Sequence, residues 1–254
     1  MQVLTAYHTD VGIEKQTNQD SLCVQVAESS LGTVVLAVVC DGMGGLSKGE
    51  LASSNVIRAF TNWFDTELAD QLSENAEEEI RYRWDRIIKE QNQRIGAYGK
   101  EQHINLGTTL TALLIVDTKF FLIGHVGDSR AYRITNKLEQ LTEDQTVVYR
   151  EILKGILTPE QAEEDPRRNV LLQCIGASKS VEPIFVNGKA QDGDVYLLCS
   201  DGFRHKISIE EIYMAFQPEK LTDESAMEQK IKELVELNKQ RDEKDNITAV
   251  LIKL

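Results

Sequence analysis

Four aspartates stand where a short apolar run meets a turn. Asp41 follows Val34-Val35-Leu36-Ala37-Val38-Val39-Cys40, and Asp128 follows Phe120-Phe121-Leu122-Ile123-Gly124-His125-Val126-Gly127. Asp201 follows Val195-Tyr196-Leu197-Leu198-Cys199-Ser200, and Asp245 precedes Asn246-Ile247-Thr248-Ala249-Val250-Leu251-Ile252. Each run is short, apolar and rich in β-branched residues, the pattern of a buried strand. Three of the carboxylates close a strand and one opens a strand, so antiparallel pairing would gather all four at one sheet edge. Carboxylates crowded together repel one another unless cations hold them, and an all-oxygen ligand set suits magnesium or manganese. These positions therefore predict a hard-metal hydrolytic centre.

The neighbouring loops bear on the same chemistry. Asp41-Gly42-Met43-Gly44-Gly45 carries three glycines in four positions, which lets backbone carbonyls approach a cation closely. Taken singly, an Asp-Gly pair is a tight turn, and Gly127-Asp128-Ser129-Arg130, Ser200-Asp201-Gly202 and Asp245-Asn246 also read as turns. One shared site accounts for all four aspartates at once. The phosphate-binding loop pattern fails here: Ser47 stands where its second glycine belongs, and Gly49 follows Lys48 in place of serine or threonine. The dinucleotide fingerprint fails at Ser47 as well.

The elements that must position these residues alternate between strand and helix. Strand patterns fill residues 3–40, with a turn near Ser29-Ser30-Leu31-Gly32. Helical spacing of Leu51, Val56, Ile57, Phe60 and Phe64 predicts a helix from Lys48 to Phe64. The stripe Ile80, Trp84, Ile87, Ile88 and Ile95 predicts a second from Glu74 to Tyr98, with that stripe packed in the core. Thr108–Val116 and the run from Phe120 form a hairpin around Asp117-Thr118-Lys119, the second strand continuing through Ala131-Tyr132-Arg133-Ile134. Residues 142–169 are charged and helical, with a capping box at Thr158-Pro159-Glu160-Gln161, and read as a surface flap. Strands return at 183–187 and 194–199, a second capping box opens at Ser208, and a last helix runs from Thr222 to Gln240. Hairpin-like spacing favours antiparallel sheets in a layered fold, as one domain without repeats or linkers.

Composition narrows the class. At 254 residues, 41% hydrophobic and 27% charged, the chain is an ordinary globular one. A net charge of −13 argues against nucleic acid and against anionic membrane as partners. No apolar run approaches the length of a membrane span, and Met1–Tyr7 does not resemble a signal peptide, so the expected location is cytoplasmic. Cys23, Cys40, Cys174 and Cys199 lack C-x-x-C spacing and read as reduced thiols.

The segment Thr9-Asp10-Val11-Gly12-Ile13-Glu14-Lys15-Gln16-Thr17-Asn18-Gln19-Asp20 completes a set. Together with the Asp41 glycine loop, Gly107-Thr108-Thr109, Gly127-Asp128-Ser129-Arg130, Ser200-Asp201-Gly202 and Asp245-Asn246-Ile247-Thr248, it resembles the metal-dependent protein phosphatases of type 2C, in their compact bacterial form. The resemblance runs from Thr9 to Val250. It implies an α+β fold: a four-layer α-β-β-α sandwich, two central antiparallel β-sheets flanked by paired helices, in one catalytic domain over 1–254. It implies hydrolysis of phosphoserine and phosphothreonine on proteins, with Mn2+ or Mg2+ as two core ions and a third, weaker one. By motif match Asp41 would bridge the core ions, and Asp201 and Asp245 would complete the first ion's shell. The Gly42 carbonyl would bind the second ion, Asp20 would hold its waters, and Asp128 with Asp201 would hold the third. Asp20, Asp41, Asp201 and Asp245 are thus the catalytic set, and a hydroxide bridging the core ions would attack phosphorus in line.

Departures from the family pattern are informative. Lys15 stands where arginine usually grips the substrate phosphate; lysine keeps the charge and loses the bidentate fork. Gln19 replaces a frequent glutamate, and Met43 takes the place of a histidine proposed as general acid in animal members. His8, His103 and His125 read as structural, and His205 as a candidate proton donor. The expected partners are phosphorylated serine/threonine proteins and a cognate bacterial serine/threonine kinase, the chain acting as a monomer. Two other readings stand beside this one: a pseudophosphatase binding module, whose mark would be missing metal ligands, and a phosphatase for a phosphorylated anti-sigma-antagonist protein.

Overall fold

The computed structural model describes residues 2–43 and 48–254; Gly44, Gly45 and Ser47, on which parts of the loop reading rest, lie outside the described residues. The chain opens with strands β1 (Leu4–Asp10), β2 (Ser21–Ser29), β3 (Gly32–Cys40) and the short β4 (Gly42–Met43). Helix α1 (Gly49–Thr66), the single turn α2 (Leu68–Gln71) and the long α3 (Ala76–Gln102) follow. Then come β5 (Gly107–Thr108), β6 (Leu110–Val116), β7 (Phe120–Val126), β8 (Arg130–Ile134) and β9 (Leu138–Gln140). Helices α4 (Val147–Leu153) and α5 (Pro159–Glu164) precede β10 (Ile184–Gly188) and β11 (Val195–Cys199). The chain closes with α6 (Asp201–Arg204), α7 (Ile209–Ala215), α8 (Glu224–Gln240) and β12 (Ile247–Lys253).

Two five-stranded sheets result, ordered β1-β12-β11-β8-β9 and β10-β7-β6-β3-β2, with β4 and β5 paired separately. Their pairings are antiparallel, as the hairpin spacing predicts. Strand β3 shows why the sheets stack. Side chains alternate faces along a strand, so Val35, Ala37 and Val39 join Leu198, Val250 and Ile252 of the other sheet in a central core. Val34, Leu36, Val38 and Cys40 point the opposite way, into a core with Phe60, Trp63, Ile80, Trp84 and Ile88 of α1 and α3. On the far side, Leu197, Cys199, Ala249 and Leu251 pack with Met227, Ile231 and Val235 of α8. A strand covered on both faces has no solvent side, hence its unbroken apolar run. The four layers are those expected. Trp84 anchors the α1–α3 layer, its ring edge-on to Phe60 at 5.1 Å and Trp63 at 5.4 Å. Truncating so large a buried ring to alanine costs about 3–5 kcal/mol.

One expectation is overturned. The strand from Phe120 does not continue through Ile134: β7 lies in one sheet and β8 in the other. The break falls at Gly127, whose φ of +109° is open to glycine and strained for other residues, and where a Cβ would lie 2.6 Å from Thr109 Cγ2. The chain crosses between sheets there, and the crossing carries Asp128. Helix α3 also runs further than predicted, to Gln102, and stops at His103 in a left-handed conformation. Both capping boxes form, at Thr158 with Gln161 and at Ser208 with Glu211.

Residues 142–169 hold α4 and α5. Their base is tied to the Asp128 crossing: Gly127 N donates to Gln145 Oε1 at 2.9 Å and Ala131 N to Thr142 Oγ1 at 3.1 Å. The four cysteines are unpaired, and burial pushes the Cys23 and Cys199 thiols up to about 12. Among the described residues, no helix is long and apolar enough to cross a membrane.

Candidate metal centre

Strand register brings the aspartates together. Ser21 pairs with Cys40, so Asp20 enters β2 where Asp41 leaves β3. Cys199 pairs with Ala249, so Asp201 leaves β11 near the end at which Asp245 leads into β12. Leu110 pairs with Val126, which sets the Asp128 crossing beside Thr109. Because the two sheets stack, their ends meet at one edge.

The fields of the carboxylates report the same convergence. Asp41 is held well above the ordinary carboxylate range, first by burial, then by the charges of Asp20, Asp201, Asp128 and Asp245. One side chain thus feels the other four. Asp20 is pushed up to about 7, mainly by burial, against the nearby Thr248 and Ser200 hydroxyls and with the charges of Asp201 and Asp245. Asp128 also rises to about 7, by burial and then Asp201, with Arg204 opposing. Like charges buried side by side favour protons or cations over ionisation alone.

Hydrogen bonds hold the loops that carry these groups. Asn246 Oδ1 accepts from Gln19 N at 2.8 Å, while its Nδ2 donates to Val11 O at 2.9 Å and Thr17 O at 3.2 Å. One amide thereby staples the Asp20 segment to the start of β12. Asp41 N donates to Thr109 Oγ1 and Thr108 Oγ1 donates to Asp41 O, both at 2.9 Å. Gly42 is pressed between two backbone carbonyls, where a Cβ would lie 2.4 Å from Gln19 O and 2.5 Å from Gly49 O.

The donor set fits hard cations. Asp20 Oδ2 and Asp201 Oδ1 are buried without a hydrogen-bond partner. A buried carboxylate oxygen in that state carries a desolvation penalty that a cation or its waters would offset. Among the described residues, no three His, Cys, Asp or Glu side chains already form a closed ligand group. Carboxylate oxygens are hard donors that suit magnesium or manganese. His125 is sealed between Thr111 Oγ1 and Gly127 O, both at 3.0 Å, and burial drives it down to about 4.

Cationic side chains ring the carboxylates. Lys15 Nζ lies 3.1 Å from Asp245 Oδ1. Burial lowers the Lys15 pKa, but the hydrogen bond and charge of Asp245 outweigh it and hold the ammonium above its ordinary value. His205 lies 3.4 Å from Asp201 Oδ2 and 3.5 Å from Glu243 Oε2. Burial opposes its protonation, and the Glu243 and Asp201 partners more than compensate, so it too is raised. Arg204 Nη2 donates to Asp128 O at 3.0 Å. Sequence reasoning did not single out Arg204, Asp144 or Glu243. Glu243 also accepts from Lys244 N at 2.9 Å and Asp245 N at 3.0 Å, so it shapes the turn that presents Asp245. Its only sequence signal is proximity to Asp245.

The whole chain also has relatives among known proteins. The family model described as Protein phosphatase 2C matches residues 11–252. Protein phosphatase PhpP of Streptococcus pneumoniae is 32% identical over 249 residues, 97% of this chain and 95% of that protein. The S. agalactiae serine/threonine phosphatase structure superposes with a TM-score of 0.82 at 29% identity, covering 100% of both chains. The catalytic domain of PstP, a serine/threonine phosphatase known from Mycobacterium tuberculosis, was solved with two manganese ions. It matches with a TM-score of 0.78 at 30% identity, over 99% of each chain.

Proposed function

Because the chain belongs to the protein phosphatase 2C family and is a metal-dependent serine/threonine protein phosphatase, we propose that the aspartate edge between its two sheets is the reaction centre. The observation that carries the proposal is the strand register that sets Asp20 beside Asp41 and Asp201 near Asp245, with all of them, and Asp128, close enough to raise the Asp41 carboxyl.

In this reading Asp41, Asp201 and Asp245 would hold one core ion, and Asp41, the Gly42 carbonyl and Asp20 would hold the other. The ions are Mn2+ or Mg2+; two manganese ions in the PstP catalytic domain support that stoichiometry. Bound ions supply a water of lowered pKa and neutralise charge on the phosphoryl oxygens. Asn246, Thr108 and Thr109 keep the ligand loops in register, so little reorganisation is needed when substrate arrives. Lys15, half-exposed at the edge, exchanges Asp245 for a phosphoryl oxygen of the substrate. Cysteine is not the nucleophile: Cys40, next to Asp41, is buried and held far above its ordinary pKa by that burial. Met43 stands where animal members carry a histidine proposed as general acid, so the leaving group takes its proton from water, with His205, 3.4 Å from Asp201 Oδ2, as the alternative donor.

The substrates are phosphoserine and phosphothreonine proteins, and the enzyme opposes a cognate bacterial serine/threonine kinase. Residues 142–169 serve as the flap of a single catalytic domain, supported by their bonds to the Asp128 crossing. The chain works as a cytoplasmic monomer, consistent with four unpaired cysteines and a net charge of −13. Alanine replacement of Asp41, Asp201 and Asp245, one at a time, tests the assignment through phosphopeptide turnover in protein shown to be folded.

A further inference from the structure

Resting on the metal-centre reading above, a further conclusion concerns the outer position beside Asp128, where the family resemblance implies a third, weaker ion. The residues here do not fit that ion. Arg204 ends α6, three residues after Asp201, and its side chain is only 13% exposed. Its Nη2 donates to Asp128 O at 3.0 Å and lies 3.7 Å from Asp128 Oδ2 and 3.5 Å from Asp144 Oδ2. A guanidinium thus stands within 4 Å of the carboxylate that a third cation would meet.

Arg204 stands between two acids, Asp128 and Asp144. Asp144 is already neutralised by a bidentate pair, with Arg130 Nε to Oδ1 and Nη2 to Oδ2 both at 2.7 Å. Arg130 also donates to Tyr132 OH at 3.1 Å and so is fully committed. Arg204 adds a second cation, shared between Asp144 Oδ2 at 3.5 Å and Asp128 Oδ2 at 3.7 Å. The Nε of Arg204 is buried without a partner. A guanidinium that forgoes one of its donors is held by charge more than by hydrogen-bond fit. It cannot lose its proton to make room, and a dication within 4 Å of it would be repelled at twice the strength of a monovalent one.

We infer that Arg204 is a built-in cation occupying the outer site, so that this phosphatase binds two ions and not three. Arg204 is a positioning residue in this account. It fixes Asp128 and the base of the 142–169 segment permanently, where a loosely bound ion would do so only at high metal concentration.

The test counts ions, independently of turnover. Equilibrium dialysis of the full chain against Mn2+ into the millimolar range, with bound metal measured by atomic absorption, is run on wild type, Asp128→Asn, Arg204→Gln and the double variant. Two ions are expected in wild type and in Asp128→Asn. A third, weaker ion is expected in Arg204→Gln, lost again when Asp128→Asn is added. A third ion in wild type that Asp128→Asn removes overturns the inference, and so does a folded Arg204→Gln variant that stays at two. Should Arg204→Gln fail to fold, the wild-type and Asp128→Asn pair decides by itself. Wild-type protein that binds no ion at all overturns the metal-centre reading and this inference with it, a result distinct from a count of three.

Discussion

Lys15 Nζ sits 3.1 Å from Asp245 Oδ1, so the cation proposed to grip the substrate phosphate rests on a proposed metal ligand. Both side chains are about two-fifths exposed, at 43% and 40%. An ion pair that exposed contributes only about 0.2–1 kcal/mol, and is readily exchanged. In the proposed mechanism, metal at Asp245 would free the ammonium, and a phosphoryl group would give it a new partner.

Replacing Lys15 by arginine tests this directly. Arginine offers a planar fork that matches phosphate bidentately. The KM for a phosphothreonine peptide should fall several-fold while kcat changes little. An unchanged KM in steady-state assays removes Lys15 from the phosphate site.

Alanine at Asp41, Asp201 or Asp245 should lower kcat by at least about 10²–10³, the scale seen when one preorganised charge-stabilising group is lost. Circular dichroism should show an intact fold. In metal-free buffer the Asp41 variant should melt no lower than wild type, because it removes a self-repelling charge. Wild-type-like turnover in any one of the three contradicts the ligand set.

Asp20 and Asp128 give the metal-free protein a characteristic pH dependence. Asp20 and Asp128 both stand near 7 when folded, against an ordinary value of 3.8. Between those values the folded state holds more protons than the unfolded one, so stability falls as pH rises from about 4 to about 7. Divalent metal bound beside Asp20 must displace the proton of that carboxyl, and its apparent affinity should weaken as pH drops below 7. Melting temperatures in EDTA across that range should decline with pH, less steeply in Asp20→Asn. A slope identical in that variant and in wild type would mean that Asp20 is not strained by its neighbours.

His125 contributes with the opposite sign and without regard to metal. Burial lowers its folded pKa to about 4 from an ordinary 6.5. Its stabilisation is full above 6.5 and is lost as pH falls through the window toward 4, about 3 kcal/mol in all. With metal bound, acid unfolding of wild type should therefore be steeper between those values than that of His125→Gln. Parallel acid limbs would show that the imidazole is not desolvated.

Much of this was legible in the sequence because buried strands announce themselves. The run Val34–Cys40 is apolar at every position because β3 is covered on both faces, and Asp41 marks where that cover ends. The two capping boxes were legible because they are local hydrogen bonds set by four residues. The crossing at Gly127 was not, since an apolar run continuing into Ala131–Ile134 has the same period in one sheet or two. Nor was Arg204. Its role depends on Asp128 and Asp144, which lie 76 and 60 residues away and reach it only through the sheet-to-sheet crossing. Glu243 is likewise visible only once the turn before Asp245 is folded.

The central claim is a metal-dependent phosphatase centre at the aspartate edge. The most direct measurement is phosphate release from p-nitrophenyl phosphate and a phosphothreonine peptide, with Mn2+, with Mg2+ and with EDTA. The account predicts turnover of both substrates with divalent metal and none in EDTA. Turnover that persists in EDTA, or its absence with either metal in folded protein, would contradict it.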